Sequence, residues 1–300
     1  MERLEERLRR KRILVSDGAW GTMLQAQGLE PGSCPELWNV EHPERVHAVA
    51  AAYAAAGADV VLTNTFGGSA PTLGRYGLAE RVQELNAAGA RLSLDGAPGS
   101  IVAASIGPSG EFLQPLGEHD EQSLQALFAE QIRAVVGAGI RVICVETMVS
   151  AEEAACAVRA ARAVEAETGE RVEVMATMTF GSTPNGFRTV MGVDPARAVE
   201  ALEAAGADVL GANCGNGIEG MIPLIREFRA LTDKPLLVHA NAGLPEIVEG
   251  KTMYRETPEI MARRIPDLLS AGAAIVGGCC GTTPEHITAM RRVVDSILGQ

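Results

Sequence analysis

Positive charge is in short supply. Lysine and arginine number 26 against 38 aspartate and glutamate, for a net charge of −12. That balance argues against a nucleic-acid or anionic-membrane surface as the main business of the chain. Long apolar runs are missing too: no stretch reaches the roughly 18 residues a bilayer-spanning helix needs. The first ten residues are charged throughout and lack the apolar centre of a secretory signal. They read as a short surface helix, an N-terminal helical extension over 1–12. No linker, low-complexity segment or second domain is evident. With no secretory features, the six cysteines point to a reducing, cytoplasmic compartment. There, clustered thiols are more often ligands or catalysts than disulfides.

What the chain has is a large apolar content, 47%, arranged as short strand-like runs alternating with helix-like segments. Strands are expected at 13–16, 59–62, 101–105, 141–145, 172–179, 208–212, 235–239 and 273–276. Helices are expected at 43–56, 78–94, 121–138, 151–167, 195–205, 219–231, 258–271 and 284–298. Four helices end in an Ala-Gly step, at Gly57, Gly139, Gly206 and Gly272, where a glycine C-cap feeds a buried parallel strand. Eight strand–helix units in about 300 residues predict an α/β fold, a single (β/α)8 TIM barrel. An open doubly wound sheet is the rival, but the glycine-rich G-x-G-x-x-G turn is absent after the first strand.

In such a barrel, chemistry sits at the C-terminal ends of the strands. Those ends carry Asp17, Thr63, Asn64, Thr65, Ser105, Glu146, Asn213, Cys214, Asn241, Cys279 and Cys280. Cys214 closes the sixth strand and Cys279-Cys280 the eighth, so three thiols can face one another across the mouth. Three thiolates suit a zinc ion that keeps a fourth position open, and Gly278 and Gly281 would give adjacent cysteines the backbone freedom to share one ion. The residues alone leave a second reading open, with Cys279-Cys280 a buried apolar pair and Cys214 unrelated core. A glycine-lined phosphate cradle is a third. Cys144 and Cys156 read as core, Cys34 as incidental, and His286 as a surface residue of the last helix. His239 reads equally as a ligand or as a polar strand-end residue. Glu146, at the end of an apolar strand, needs a partner. It reads as an anchor for a substrate ammonium or as one half of an ion pair. Asp17-Gly18-Ala19 reads as a capped turn or as a holder of an amino acid's ammonium and carboxylate.

These segments resemble the homocysteine S-methyltransferase family. The resemblance rests on Asp17-Gly18-Ala19, Thr63-Asn64-Thr65-Phe66-Gly67, Ile106-Gly107-Pro108-Ser109-Gly110, Glu146-Thr147, Asn213-Cys214, Asn241-Ala242-Gly243 and Gly277-Gly278-Cys279-Cys280-Gly281-Thr282-Thr283-Pro284-Glu285-His286. The last element together with the isolated Asn-Cys is the most specific. The resemblance implies a zinc-bearing barrel, with Cys214, Cys279 and Cys280 as ligands and homocysteine as the fourth. It implies that the amino-acid end of homocysteine lies near Asp17, Gly18, Ala19 and Glu146, with Asn64, Thr65 and Ser105 as further contacts, and that Asn241 lies close to the metal.

The implied activity is methyl transfer to the homocysteine thiol, giving methionine, with no catalytic residue beyond the metal site. Methylcobalamin on a separate corrinoid protein or domain is the donor the loop Thr63-Asn64-Thr65-Phe66-Gly67 favours. S-methylmethionine, S-adenosylmethionine or betaine is the alternative, as is a non-catalytic substrate-binding zinc barrel of a larger assembly. Thr147 stands where the betaine enzymes carry an aromatic, which weighs against a betaine pocket. The whole of 1–300 is expected to be the homocysteine-binding barrel, without the C-terminal extension of betaine enzymes or the folate and cobalamin domains of full methionine synthases.

Overall fold

The computed structural model describes residues 2–248 and 251–299; the outermost ends of the expected barrel, Met1 and Gln300, lie outside them. Eight parallel strands form one sheet: β1 (Leu14–Val15), β2 (Val60–Leu62), β3 (Ile101–Ile106), β4 (Val142–Met148), β5 (Glu173–Met178), β6 (Val209–Gly217), β7 (Leu236–Asn241) and β8 (Ala273–Gly278). Each strand pairs with its neighbours in sequence, and β1 pairs with β8 through Leu14–Ile275 and Val15–Val276. A parallel bridge between Ser16 and Val60 closes the circle. The closed barrel excludes the open doubly wound alternative.

One long helix follows each of the eight strands, from Pro43–Ala55 to Pro284–Leu298, with shorter helices at Trp20–Ala26, Trp38–Glu41 and Ala70–Gly74 after the first two strands, and local chemistry sets the ends of the long ones. Asp120, Ser150, Asp194 and Thr257 accept the N–H three residues on. Pro43, Pro195, Pro258 and Pro284 take the first helical position, where a missing N–H costs nothing. The expected glycine stops hold: Gly57, Gly139, Gly206 and Gly272 all have φ between 92° and 113°, a region that suits glycine. Strand β6 runs on past its expected end through Cys214, with an irregular register between Asn213 and Gly217. Two β-hairpins, Gly181–Thr183 with Gly186–Arg188 and Glu246–Val248 with Lys251–Met253, were not foreseen.

Successive strand residues point to opposite faces, and two buried clusters follow that alternation. Leu14, Leu62, Ala103, Cys144, Met175, Val209, Leu237 and Ile275 fill the barrel interior. Val15, Val61, Val102, Ile143, Val174, Leu210, Val238 and Val276 pack outward against the helices. Carried to the C-terminal ends, the same phase puts Ser105, Glu146, Thr177, Asn213, His239, Asn241 and Cys279 on the interior face.

The N-terminal helix α1 (Leu4–Lys11) is more than the surface extension expected. Leu4 is buried in the interior cluster and Leu8 packs against it. The Glu173 carboxylate accepts the N–H groups of Leu4 and Glu5, both at 2.8 Å, and Arg7 donates to the Asp59 carbonyl. The charged sequence of α1 hides one apolar edge, which closes the barrel at the end remote from the cysteines. Among the described residues, no helix is long and apolar enough to cross a membrane.

Candidate metal centre

The ends of β6 and β8 bring Cys214, Cys279 and Cys280 together. Their sulfurs all lie within 4.8 Å of one another, and no other group of three potential ligands is found among the described residues. Thiolates bound tetrahedrally to one ion at about 2.3 Å stand roughly 3.8 Å apart, so this trio can hold a single metal ion. None of the six cysteines is in a disulfide. Hydrogen bonds with Cys279 and Cys280 lower the pKa of Cys214, and hydrogen bonds to Cys214 and Cys280, with burial, hold the Cys279 thiol well above its ordinary range.

Backbone geometry delivers these thiols. Cys214 has φ +58°, a left-handed conformation for a residue with a side chain. Gly281 has φ +81°, as expected of a glycine that frees the turn. Gly278 is glycine for another reason: a Cβ there would stand 2.2 Å from Thr282 Oγ1. The close approach of Thr282, and no special φ, excludes a side chain. Thr282 Oγ1 also accepts the Ala19 N–H (3.1 Å) and donates to the Cys279 carbonyl (2.7 Å). It fastens the Asp17-Gly18-Ala19 loop to the cysteine turn, and a Cβ on Gly18 would meet the same oxygen at 2.6 Å.

Asp17 is fully buried. One of its oxygens accepts from Leu62 N (2.7 Å) and Trp20 Nε1 (2.9 Å), and the other from Ser16 Oγ (3.3 Å). Burial raises its carboxyl to about 7 in spite of those bonds. Burial raises Glu146 to about 7 as well, against the hydrogen bond from Ser105 Oγ and with the charge of Asp17 adding to the shift. Neither carboxylate has an ion-pair partner among the described residues, so the ion-pair alternative for Glu146 falls away. Asn241 is buried on β7 beside Cys214, and its Oδ1 has no hydrogen-bond partner. His239, two residues earlier, is buried and neutral, its pKa pushed down to about 4 by burial, and its Nε2 has no partner either.

The other expected contacts are committed within the chain. Asn64 Nδ2 donates to the Pro35 carbonyl (2.7 Å) and to Asn39 Oδ1 (2.9 Å). Thr65 Oγ1 donates to the Ser105 carbonyl (2.8 Å) and contacts Thr63 Oγ1. Ala19 gives its N–H to Thr282, so the expectation that this amide is free for a substrate carboxylate does not hold. Cys144 and Cys156 are core, as expected. Cys34 is not incidental: it is buried and donates to Glu36, whose other oxygen accepts the Gly67 N–H. His286 is not on the surface. It is buried and closes a capping box with Thr283. No phosphate-binding group replaces the thiols in the β8 turn.

Sequence reasoning gave no structural role to Asn213, Thr282 or Tyr254, and read Thr147 only as the absence of an aromatic. Asn213, Thr147 and Thr282 lay in motifs it quoted, and their polar side chains near strand ends were the available signal. Tyr254 sits in a loop with no such pattern, yet its ring lies against Gly281.

The sequence profile described as homocysteine S-methyltransferase matches residues 14–294. The chain is similar to the methionine synthase of Mycobacterium tuberculosis, at 32% identity over 303 residues, covering 96% of this chain and 25% of that protein. It is similar to the methionine synthase of Mycobacterium leprae at 30% identity over 300 residues, covering 95% and 24%. The chain thus spans about a quarter of the length of these curated relatives. Among solved structures, the metallated form of the homocysteine methyltransferase MmuM from Escherichia coli has the same fold, with TM-score 0.77 at 24% identity over 96% of this chain and 99% of that one.

Proposed function

Because the chain belongs to the homocysteine S-methyltransferase family, we propose that its barrel, taken as 1–300, binds homocysteine and accepts a methyl group onto the homocysteine thiol, giving methionine. The observation that carries the reading is the meeting of Cys214, Cys279 and Cys280 within 4.8 Å. Three soft thiolates suit zinc, and three rather than four fixed ligands suit a site that takes substrate. When bound, zinc would keep the homocysteine sulfur deprotonated and electron-rich at neutral pH. Asn241 Oδ1, a buried oxygen without a partner, is available to that site before substrate arrives.

The chain's own residues supply binding and orientation. Asp17 and Glu146 are two buried carboxylates without a cation, and the ammonium of an amino acid would compensate both. Gly18 and Ala19 wall that pocket, and Ser105 holds Glu146 in place. Asn64 and Thr65 act one step back, by shaping the loop beside it. Methyl transfer to a thiolate is a displacement: the S–C bond forms as the bond from donor to methyl breaks, and the bonding pair leaves with the donor. No general base is needed, and positioning the sulfur in line with the methyl carbon becomes the main requirement.

For the donor, the likeness to methionine synthases favours a methylated corrinoid carried by another domain or protein. S-methylmethionine, S-adenosylmethionine or betaine would be the alternative. A second reading is a substrate-binding barrel that works within a larger assembly. Six unpaired cysteines fit a cytoplasmic setting.

Methionine formation by zinc-loaded protein from homocysteine, with methylcobalamin, S-methylmethionine and betaine offered in turn, tests the activity. Turnover with methylcobalamin is expected, and no turnover with any donor would favour the binding reading. Zinc content of Cys214→Ser and Cys280→Ser tests the site. Full occupancy in both variants would sink it.

A further inference from the structure

The loop after β2, from Asn64 to Gly68, is held by buried side chains. Asn39 Nδ2 donates to the Asn64 carbonyl (2.8 Å), Gln131 Nε2 to the Thr65 carbonyl (2.6 Å) and Asn86 Nδ2 to the Gly68 carbonyl (2.8 Å). The buried Glu36 carboxylate accepts the Gly67 N–H (2.6 Å), and the Phe66 carbonyl accepts the Gly107 N–H (3.0 Å). Glycines leave these amides room: a Cβ on Gly68 would stand 2.1 Å from Asn86 Oδ1, and one on Gly89 2.6 Å from Asn39 Nδ2. Water at an open mouth can satisfy peptide groups without help. Three buried amides and a carboxylate in its place hold the loop to one shape.

What this fixed loop carries outward is Phe66. Its ring lies on the Gly107 backbone, where a Cβ would meet three ring carbons at 2.7–2.8 Å. Gly107 has no left-handed φ, so the ring is what keeps a side chain out of that position. Yet the ring remains 43% exposed: one side is seated and the rest is bare. Two bonds connect its neighbour to the proposed ammonium anchor. Thr65 Oγ1 donates to the Ser105 carbonyl, and Ser105 Oγ bonds Glu146. In the closed ring of eight strands β2 stands opposite β6, so Phe66 and Cys214 rise from opposite walls of the mouth.

We propose that Phe66 is a specificity-determining residue for the methyl donor: its bare aromatic surface is the apolar platform against which the body of the donor lies while the methyl group is presented to the homocysteine sulfur. An aromatic ring adds stacking and edge contacts beyond the area it buries. A platform already fixed by its loop loses little conformational freedom when the donor arrives. The buried amides Asn39, Asn86 and Gln131, which touch neither reactant, then act by holding the support of the ring. The inference rests on the methyl-transfer reading.

Two-substrate kinetics on the full zinc-loaded chain tests it, with methylcobalamin as donor, or S-methylmethionine or betaine if one of those is the donor turned over. Phe66→Leu keeps an apolar side chain and loses the aromatic surface; Phe66→Tyr keeps that surface. In Phe66→Leu the KM for the donor is expected to rise about tenfold. The KM for homocysteine, the zinc content and the unfolding midpoint should stay at wild-type values, and Phe66→Tyr should behave as wild type toward the donor. Gly107→Ala, which keeps the ring but pushes it off its seat, should raise the same KM. An unchanged donor KM in Phe66→Leu, or a rise shared equally by homocysteine, would overturn this inference and leave methyl transfer standing. Wild-type protein that turns over none of the three donors would overturn the methyl-transfer reading and this inference with it.

Discussion

Asn213 and Thr147 are joined by two hydrogen bonds of 2.8 Å: Asn213 Oδ1 accepts the Thr147 N–H, and Asn213 Nδ2 donates to the Thr147 hydroxyl. Thr147 has φ +61° and Cys214, the residue after Asn213, has φ +58°. Such conformations cost on the order of 1–3 kcal/mol each and persist only where the surroundings enforce them. Asn213 sits between the two, and Thr177 Oγ1 holds its amide from below at 2.7 Å. The strain at the metal turn is thus anchored across the mouth to β4. Asn213→Ala should cost about 1–3 kcal/mol in urea unfolding, because it strands the Thr147 and Thr177 groups, and zinc content should fall with it. Wild-type zinc content in a variant that has lost this stability would separate the anchor from the metal site.

Thr282 ties the first loop to the last. Thr282→Val keeps the shape but leaves the Ala19 N–H without its partner and takes one of two hydrogen bonds from the Cys279 carbonyl, which still accepts the Thr282 N–H (3.1 Å). A loss of about 1–3 kcal/mol follows from burying such groups unpaired, read from chemical denaturation. Gly278→Ala should be worse than its size suggests, because the new methyl would collide with Thr282. Stability and metal should fall together. A Gly278→Ala protein that lost metal at full stability would contradict the packing described for this turn.

Glu146 and Asp17 set a pH dependence. Both carboxyls sit at about 7 in the fold against an ordinary value near 4. Between those limits the folded chain binds more protons than the unfolded one. Their contribution to stability is complete below the unfolded pKa and is lost as pH rises through the folded one. Glu146→Gln cannot ionise. It should remove its share of the decline between about pH 4 and pH 7, leaving that of Asp17, and be more stable than wild type at pH 8, on the order of 3 kcal/mol. The same variant should bind homocysteine more weakly. Thermal melts across this range check the first claim and calorimetric titration the second; parallel stability curves for the two proteins would refute the buried-carboxylate account.

Glu173 holds α1 in place by accepting two of its first N–H groups. Glu173→Ala should loosen the helix and cost about 1–2 kcal/mol, as losing a strong N-terminal partner does. Hydrogen exchange at residues 4–11 should rise while exchange in β6 and β8 stays slow. Unchanged protection in α1 would mean that the helix is held by Leu4, Leu8 and the bonds to Asp59 without help from Glu173.

The barrel was legible because its signals are local. Hydrophobic runs, glycine stops and proline starts located all eight strand–helix units, and Asn213-Cys214 with Cys279-Cys280 marked the three thiols that meet at the mouth. The interior phase of the strands was harder to see. Val142-Ile143-Cys144-Val145 is apolar on both faces, as a strand buried on both sides must be, so Glu146 could be placed at a strand end but not assigned to the interior. The bond between Thr282 and Ala19 spans 263 residues, and nothing in either local sequence announces the other. Leu4 was masked by the arginines and glutamates around it. Tyr254 stands in a loop, where no periodicity says which way a ring points.

Side chains fill the barrel interior and Leu4 with its helix covers the remote end, so on the chemistry proposed both reactants share the mouth where the thiols lie. If homocysteine sits deeper there than the donor, it must arrive first and methionine must leave after the spent donor, a compulsory order that steady-state kinetics with the two substrates varied together would display.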